Sequence, residues 1–196
     1  MGRGLRRVQG VSGAALTSWA DLPVPAESAD LREGPELHPA LRPLLPLVGL
    51  WRGTGRGGYP TIDDFDYGQQ VRFAHDGRPF LHYESRSWLL DPHGAVLRPG
   101  AREVGWWRPG AGADDLEVLL AHPTGIAEVY LGRVNSPTQW ELRTDVVART
   151  GTAKEVNANH RLYGIVEGAL LYAVDMAAVG QPLGPHLAAR LERIGG

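Results

Sequence analysis

From His38 onward, apolar and polar positions alternate in short runs, and each run stops at a cluster of Gly, Pro, Asn or Asp. A period of two sends successive side chains to opposite faces of a strand, so the runs predict strands and their short connections predict hairpins. Tyr67, Gln69, Val71 and Phe73 share one face, Gln70 and Arg72 the other, and His75-Asp76-Gly77-Arg78-Pro79 supplies a turn. Further strands are expected at Phe80 to Leu90, Arg102 to Arg108, Leu116 to Ala121, Ile126 to Arg133, Gln139 to Val147, Glu155 to Val166 and Ala169 to Ala178. About ten hairpin-linked strands without long crossovers predict an all-β fold, an antiparallel up-and-down β-barrel that removes its edges by closing, with a sandwich as the alternative.

The opening strand and its turn, Leu47 to Ile62, carry Gly49-x-Trp51-x-Gly53-x-Gly55. All four residues fall on one face, so one large ring sits among gaps that let another backbone or a flat ligand approach. Two readings follow: Trp51 plugs the closed end of the core, or it floors a cavity.

Short helices are expected at both ends of the barrel. Pro39 suits a first helical position before Leu41, Leu44 and Leu45, with Pro43 and Pro46 keeping that helix short. Near the C-terminus, Pro185 opens a segment in which Leu187, Leu191 and Ile194 share one helical face. His186 then sits in a first turn, where the helix dipole favours the neutral imidazole that coordinates metals; an ordinary solvent-facing histidine is the other reading.

The 196 residues, 43% of them hydrophobic with a formal net charge of -2, suit one domain with a sizeable core. Nothing in that balance marks a nucleic-acid or membrane-surface protein, since Arg3, Arg6 and Arg7 form the only basic cluster. Cysteine is absent, which removes disulfides, thiolate ligands and a cysteine nucleophile from consideration. Val8 to Leu16 is too interrupted for a secretory signal, so a cytoplasmic location is expected. Residues 1 to 36 are small, polar and proline-bearing, which predicts a flexible extension ahead of a barrel domain at 37 to 196.

No H-E-x-x-H, P-loop or G-x-S-x-G pattern occurs. His82 and His160 lie within predicted strands, where either could face a cavity, whereas His38, His75, His93 and His122 fall at turns. Asp63, Asp64 and Asp66 read as a solvated loop.

Five ordered motifs resemble the nitrobindins, haem-binding β-barrels related in shape to fatty-acid-binding proteins. They are the glycine-tryptophan strand, Tyr59-Pro60-Thr61-Ile62, Leu119 to Gly125, Thr152-Ala153-Lys154-Glu155-Val156, and Val179 to Leu183 with His186-Leu187. The resemblance covers about Leu37 to Ile194, and Asp21 to Gly34 is similar to an actinobacterial branch with an N-terminal extension. It implies one haem b per subunit, with His186 as the proximal iron ligand and Lys154 and Thr61 at the haem edge near the propionates. Met176, in phase with Tyr172 and Val174, either faces the haem pocket or is core filler.

The implied activity is that of a five-coordinate ferric haem with an open, apolar distal side, binding nitric oxide and isomerising peroxynitrite to nitrate. Its ligands would be those small molecules, with no nucleic acid or membrane partner, and a homodimer is possible. Two other readings of the barrel stay open. One is a carrier of a lipid or other hydrophobic ligand, with Lys154 or Arg72 clamping a carboxylate, and the other is a ligand-free interaction module.

Overall fold

The computed structural model describes residues 26–196, so the expectations for the basic cluster and for the first 25 positions lie outside the described residues. Ten strands follow in order: β1 (Gly49–Tyr59), β2 (Ile62–Ala74), β3 (Leu81–Leu90), β4 (Val96–Pro109), β5 (Asp115–His122), β6 (Ile126–Ser136), β7 (Gln139–Arg149), β8 (Val156–Val166), β9 (Ala169–Ala178) and β10 (Gly184–Gly195). Each pairs antiparallel with its neighbours in sequence, and β10 closes the barrel on β1. The expected architecture is therefore the observed one. Among the described residues no helix is long and apolar enough to cross a membrane.

The N-terminal helix is a 3₁₀ helix, Pro39–Leu47, and its buried residues Leu41, Leu44 and Leu47 recur at the three-residue period of that helix type. It closes one end of the barrel. Trp51 Nε1 donates to the Leu47 carbonyl at 2.8 Å, and Trp140 Nε1 donates to the Pro43 carbonyl at 3.0 Å. The guanidinium of Arg193 lies 4.1 Å from the Trp51 ring centroid and donates to the carbonyls of Pro46 and Val48. Trp51, fully buried, thus plugs the closed end, within the same core cluster as Leu41, Leu44 and Phe73.

The C-terminal helix expected from Leu187, Leu191 and Ile194 does not form; the segment is β10. Leu187 and Leu191 are four apart, a spacing that puts them on one face of a strand as well as of a helix. Ile194 breaks the tie, being of opposite strand parity and 50% exposed. Barrel closure decides the matter, because a strand here satisfies the backbone edges of both β1 and β9. The glycine face of β1 serves that closure: a Cβ at Gly53 would strike the Arg190 carbonyl of β10, and one at Gly55 the Ala188 carbonyl and the Tyr67 ring.

Residues 26 to 36 lie against the β2–β3 turn. Ser28 and His75 exchange backbone hydrogen bonds of 2.8 and 2.9 Å, and Glu27 accepts from Arg72 at 3.1 Å.

Candidate functional site

All odd-to-even connections, β1–β2 through β9–β10, gather at the end opposite the 3₁₀ helix. That end opens into a cavity of about 610 Å³, inside the range of roughly 300–1,000 Å³ typical of small-molecule sites. Its walls come from inward-facing residues of β2, β3, β4, β8, β9 and β10, among them Phe65, Leu89, Val174 and Leu187. A larger groove of about 1010 Å³ runs over the outer face beside Leu162 and Val166, open to solvent and with no histidine in its lining.

His186 is the histidine that lines the inner cavity. It sits where the β9–β10 register shifts between Pro185 and Leu187, and the β1–β2 register shifts between Gly57 and Tyr59 beside it. Paired irregularities of this kind re-aim a side chain without ending the sheet. The ring packs edge-on to Tyr59, centroids 5.5 Å apart, and Tyr59 is itself pinned by hydrogen bonds to Met176 and Ala178 of β9. His186 Nδ1 lies 2.9 Å from the Gly58 carbonyl oxygen. A carbonyl only accepts, so Nδ1 carries the proton and Nε2 keeps its lone pair. Burial pushes the imidazole below its ordinary pKa, outweighing the contrary pull of the Gly58 hydrogen bond. The neutral ring expected from a helix dipole is thus present for a different reason.

Among the other sequence candidates, Lys154 is exposed and lines the cavity mouth, while Thr61 is exposed in the β1–β2 turn, with its neighbour Ile62 rather than Thr61 on the cavity wall. Met176 is half-buried and packs with Tyr59, Val156 and Ala178 in a satellite cluster beside the site. His82 and His160 face outward: His82 lies beside Trp106 and Glu27, and His160 bonds Glu141 at 2.9 Å. Arg72, a possible clamp in the carrier reading, also faces outward, toward Glu27. Asp63 and Asp64 belong to β2 and line the mouth instead of forming a solvated loop.

A buried charged cluster on the inner wall was not among the expected features. Arg161 donates to Glu103 at 2.9 and 3.0 Å, to Tyr130 at 2.8 Å, and more distantly to Tyr163 and Glu128. His122 Nε2 lies 2.9 Å from Glu128, and Asn159 also bonds that carboxylate. Burial alone would raise the Glu103 pKa, but the Arg161 charge and its hydrogen bonds overcome this and hold it at about 2. A second polar chain runs from Tyr67 to Tyr172 at 2.7 Å, on to Gln69 at 2.7 Å, and from Gln69 to Ser85 at 2.8 Å. The wall is accordingly more polar than the apolar pocket implied by the resemblance. Alternation in β8 was the available signal, since Asn159, Arg161 and Tyr163 share a phase, but His160, Leu162 and Gly164 on the other face read as no more polar.

Chemically, one unprotonated imidazole nitrogen beside a mid-sized cavity, with cations at the rim, suits a ligand that carries a metal atom and has carboxylates at its edge. Comparison with known proteins bears on that set. Residues 40–193 match the family model described as the THAP4-like, heme-binding beta-barrel domain. The chain is 63% identical over 174 residues to a peroxynitrite isomerase of Salinispora arenicola, covering 87% of this chain and 88% of that protein. It is 46% identical over 192 residues to a ferric nitrobindin-like protein of Saccharopolyspora erythraea, covering 97% and 90% respectively. The crystal structure of Rv2717c from M. tuberculosis superposes with a TM-score of 0.72 at 41% identity, covering 81% of this chain and 99% of that one.

Proposed function

Because the chain belongs to the family of THAP4-like, heme-binding beta-barrel domains, we propose that it is a haem b protein that binds nitric oxide and isomerises peroxynitrite to nitrate. The observation that carries this reading is the His186–Gly58 hydrogen bond, which leaves Nε2 as a free, neutral ligand nitrogen at the cavity wall. Ferric haem, when bound, would supply a Lewis-acidic iron for a small anion or for nitric oxide.

The chain's own residues do the rest. His186 would hold the iron through Nε2, and the Gly58 carbonyl fixes its tautomer and ring plane while increasing its basicity. Phe65, Leu89, Val174 and Leu187 keep bulk water from the cavity walls, and Lys154 stands at the mouth where a carboxylate edge would emerge. His82 and His160 point away, so neither would compete with His186 to hold the iron.

Of the two clamps of the carrier reading, Arg72 faces outward toward Glu27 and Lys154 stands at the mouth, while the inward Arg161 spends its donors on Glu103, Glu128, Tyr130 and Tyr163. Titration of the full chain with haemin tests the proposal. A Soret band that saturates at one haem per chain, with a high-spin ferric spectrum, is expected; absence of saturable uptake would overturn it.

A further inference from the structure

The barrel wall is incomplete along the mouth. β4 pairs with β5 only from Val104 to Pro109, so residues 96 to 103 are held by β3 alone and present a free edge. Beyond this slot stand the β5–β6 turn, with Thr124, and the β7–β8 loop, with Lys154. Those two segments are tied together: Thr150 donates to the Gly125 carbonyl at 2.9 Å, and a Cβ at Gly125 would strike Thr150 and touch Ala153.

Arg98, on the free half of β4, lines the cavity from one side of the slot, and Lys154 lines it from the other. Neither forms an ion pair among the described residues, in contrast to Arg161. The connections follow around the mouth in chain order, which places Asp63 and Asp64 of the β1–β2 side across the opening from Thr124. The rim is therefore polarised, with two cations outside any ion pair flanking the slot, Arg98 donating to the Pro99 carbonyl at 3.4 Å, and two carboxylates on the β1–β2 side. A dicarboxylate entering this mouth is drawn to the slot and repelled from Asp63 and Asp64.

We propose that Arg98 is a second carboxylate-binding residue, which together with Lys154 grips the two carboxylates of a tetrapyrrole at the β4–β5 slot and so fixes its orientation in the cavity. This rests on the haem reading. Arg98 lies on the half of β4 that β5 leaves unpaired, and its planar fork suits a carboxylate better than a point charge does.

The test uses the full chain, iron-free protoporphyrin IX and the corresponding dimethyl ester, followed by fluorescence titration, so that binding does not depend on the imidazole–iron bond. The wild type should bind the diacid more tightly than the ester. Arg98→Gln should loosen the diacid about fivefold while leaving the ester unchanged, Arg98→Lys should lose less, and adding Lys154→Gln should erase the preference. An unchanged thermal midpoint confirms that these exposed substitutions leave the barrel intact. If the wild type binds porphyrins but shows no preference for the diacid, or Arg98→Gln keeps it in full, the inference falls while the haem reading stands. Failure of the wild type to take up either porphyrin or haemin overturns both.

Discussion

The Nδ1 atom of His186 donates to the Gly58 carbonyl across the seam between β10 and the end of β1, at 2.9 Å. One contact thereby joins the glycine-tryptophan strand to the histidine at the other end of the chain and fixes which ring nitrogen is free. Burial holds the ring neutral by lowering its pKa below 6.5. Ligation requires the neutral form, so haem affinity should be flat above pH 6.5 and fall as pH drops through the depressed value and Nε2 takes a proton. Haemin titrations across that range check this, and an affinity that rises on acidification would contradict it.

Trp51→Ala should destabilise the barrel by about 3–5 kcal/mol, because a fully buried ring is removed along with its hydrogen bond to Leu47. The ring belongs to the closed end, so the ferric spectrum of the folded fraction should not change. Denaturant melts and absorbance spectra of one preparation supply both numbers; a shifted spectrum with intact stability would move Trp51 into the ligand site.

Arg161→Met removes the partner of two buried carboxylates and should cost about 3–5 kcal/mol. The double variant Arg161→Met/Glu103→Gln should recover part of that loss, since less charge is left unpaired. Glu103 is held at about 2 in the fold against an ordinary 4.5. Its stabilisation is complete above pH 4.5 and is lost as pH falls from there toward 2, so Glu103→Gln should flatten the acid limb of the stability curve. Urea melts from about pH 2 to about pH 7, which bracket both values, compare the variants directly.

Deleting residues 1–36 takes away the Ser28–His75 bridge and the Glu27 contacts with Arg72 and His82. His75, 1% exposed and with its pKa lowered by burial, is then opened to water. The truncated barrel should fold and take up haem with a lower thermal midpoint. The loss should be greatest above pH 6.5 and shrink as pH falls through the depressed value, because the intact fold alone forfeits stability when its buried His75 must protonate. Calorimetry of the two lengths decides; equal midpoints at every pH would show that the segment adds nothing.

Strand order and barrel closure were legible because turn residues punctuate nearly every run and alternation is strict from Tyr67 to Phe73. The last element was not, since Leu187 and Leu191 satisfy both periods and only pairing with β1 and β9 selects the strand. His186 was reached through its motif, while the partner that orients it, a backbone carbonyl, leaves no trace in side-chain identity. The Arg161 cluster stayed hidden because a charge inside a barrel becomes apparent only when its counter-charges, distant in sequence, fold onto it: Glu103 and Arg161 are brought together from β4 and β8. His122 looked like a turn residue and is instead part of that cluster.

On the proposed function, His186 Nε2 is the nitrogen that would hold the haem iron with which this barrel would turn peroxynitrite into nitrate. Stopped-flow decay of peroxynitrite, with nitrate and nitrite measured at the end, tests it in haem-loaded wild type and in His186→Ala reconstituted under the same conditions. The wild type should accelerate decay in proportion to bound haem and shift the products toward nitrate, whereas His186→Ala should stay folded, bind haem weakly and leave decay near the rate without protein. A His186→Ala protein that binds haem as tightly and converts peroxynitrite as fast as the wild type would contradict the account.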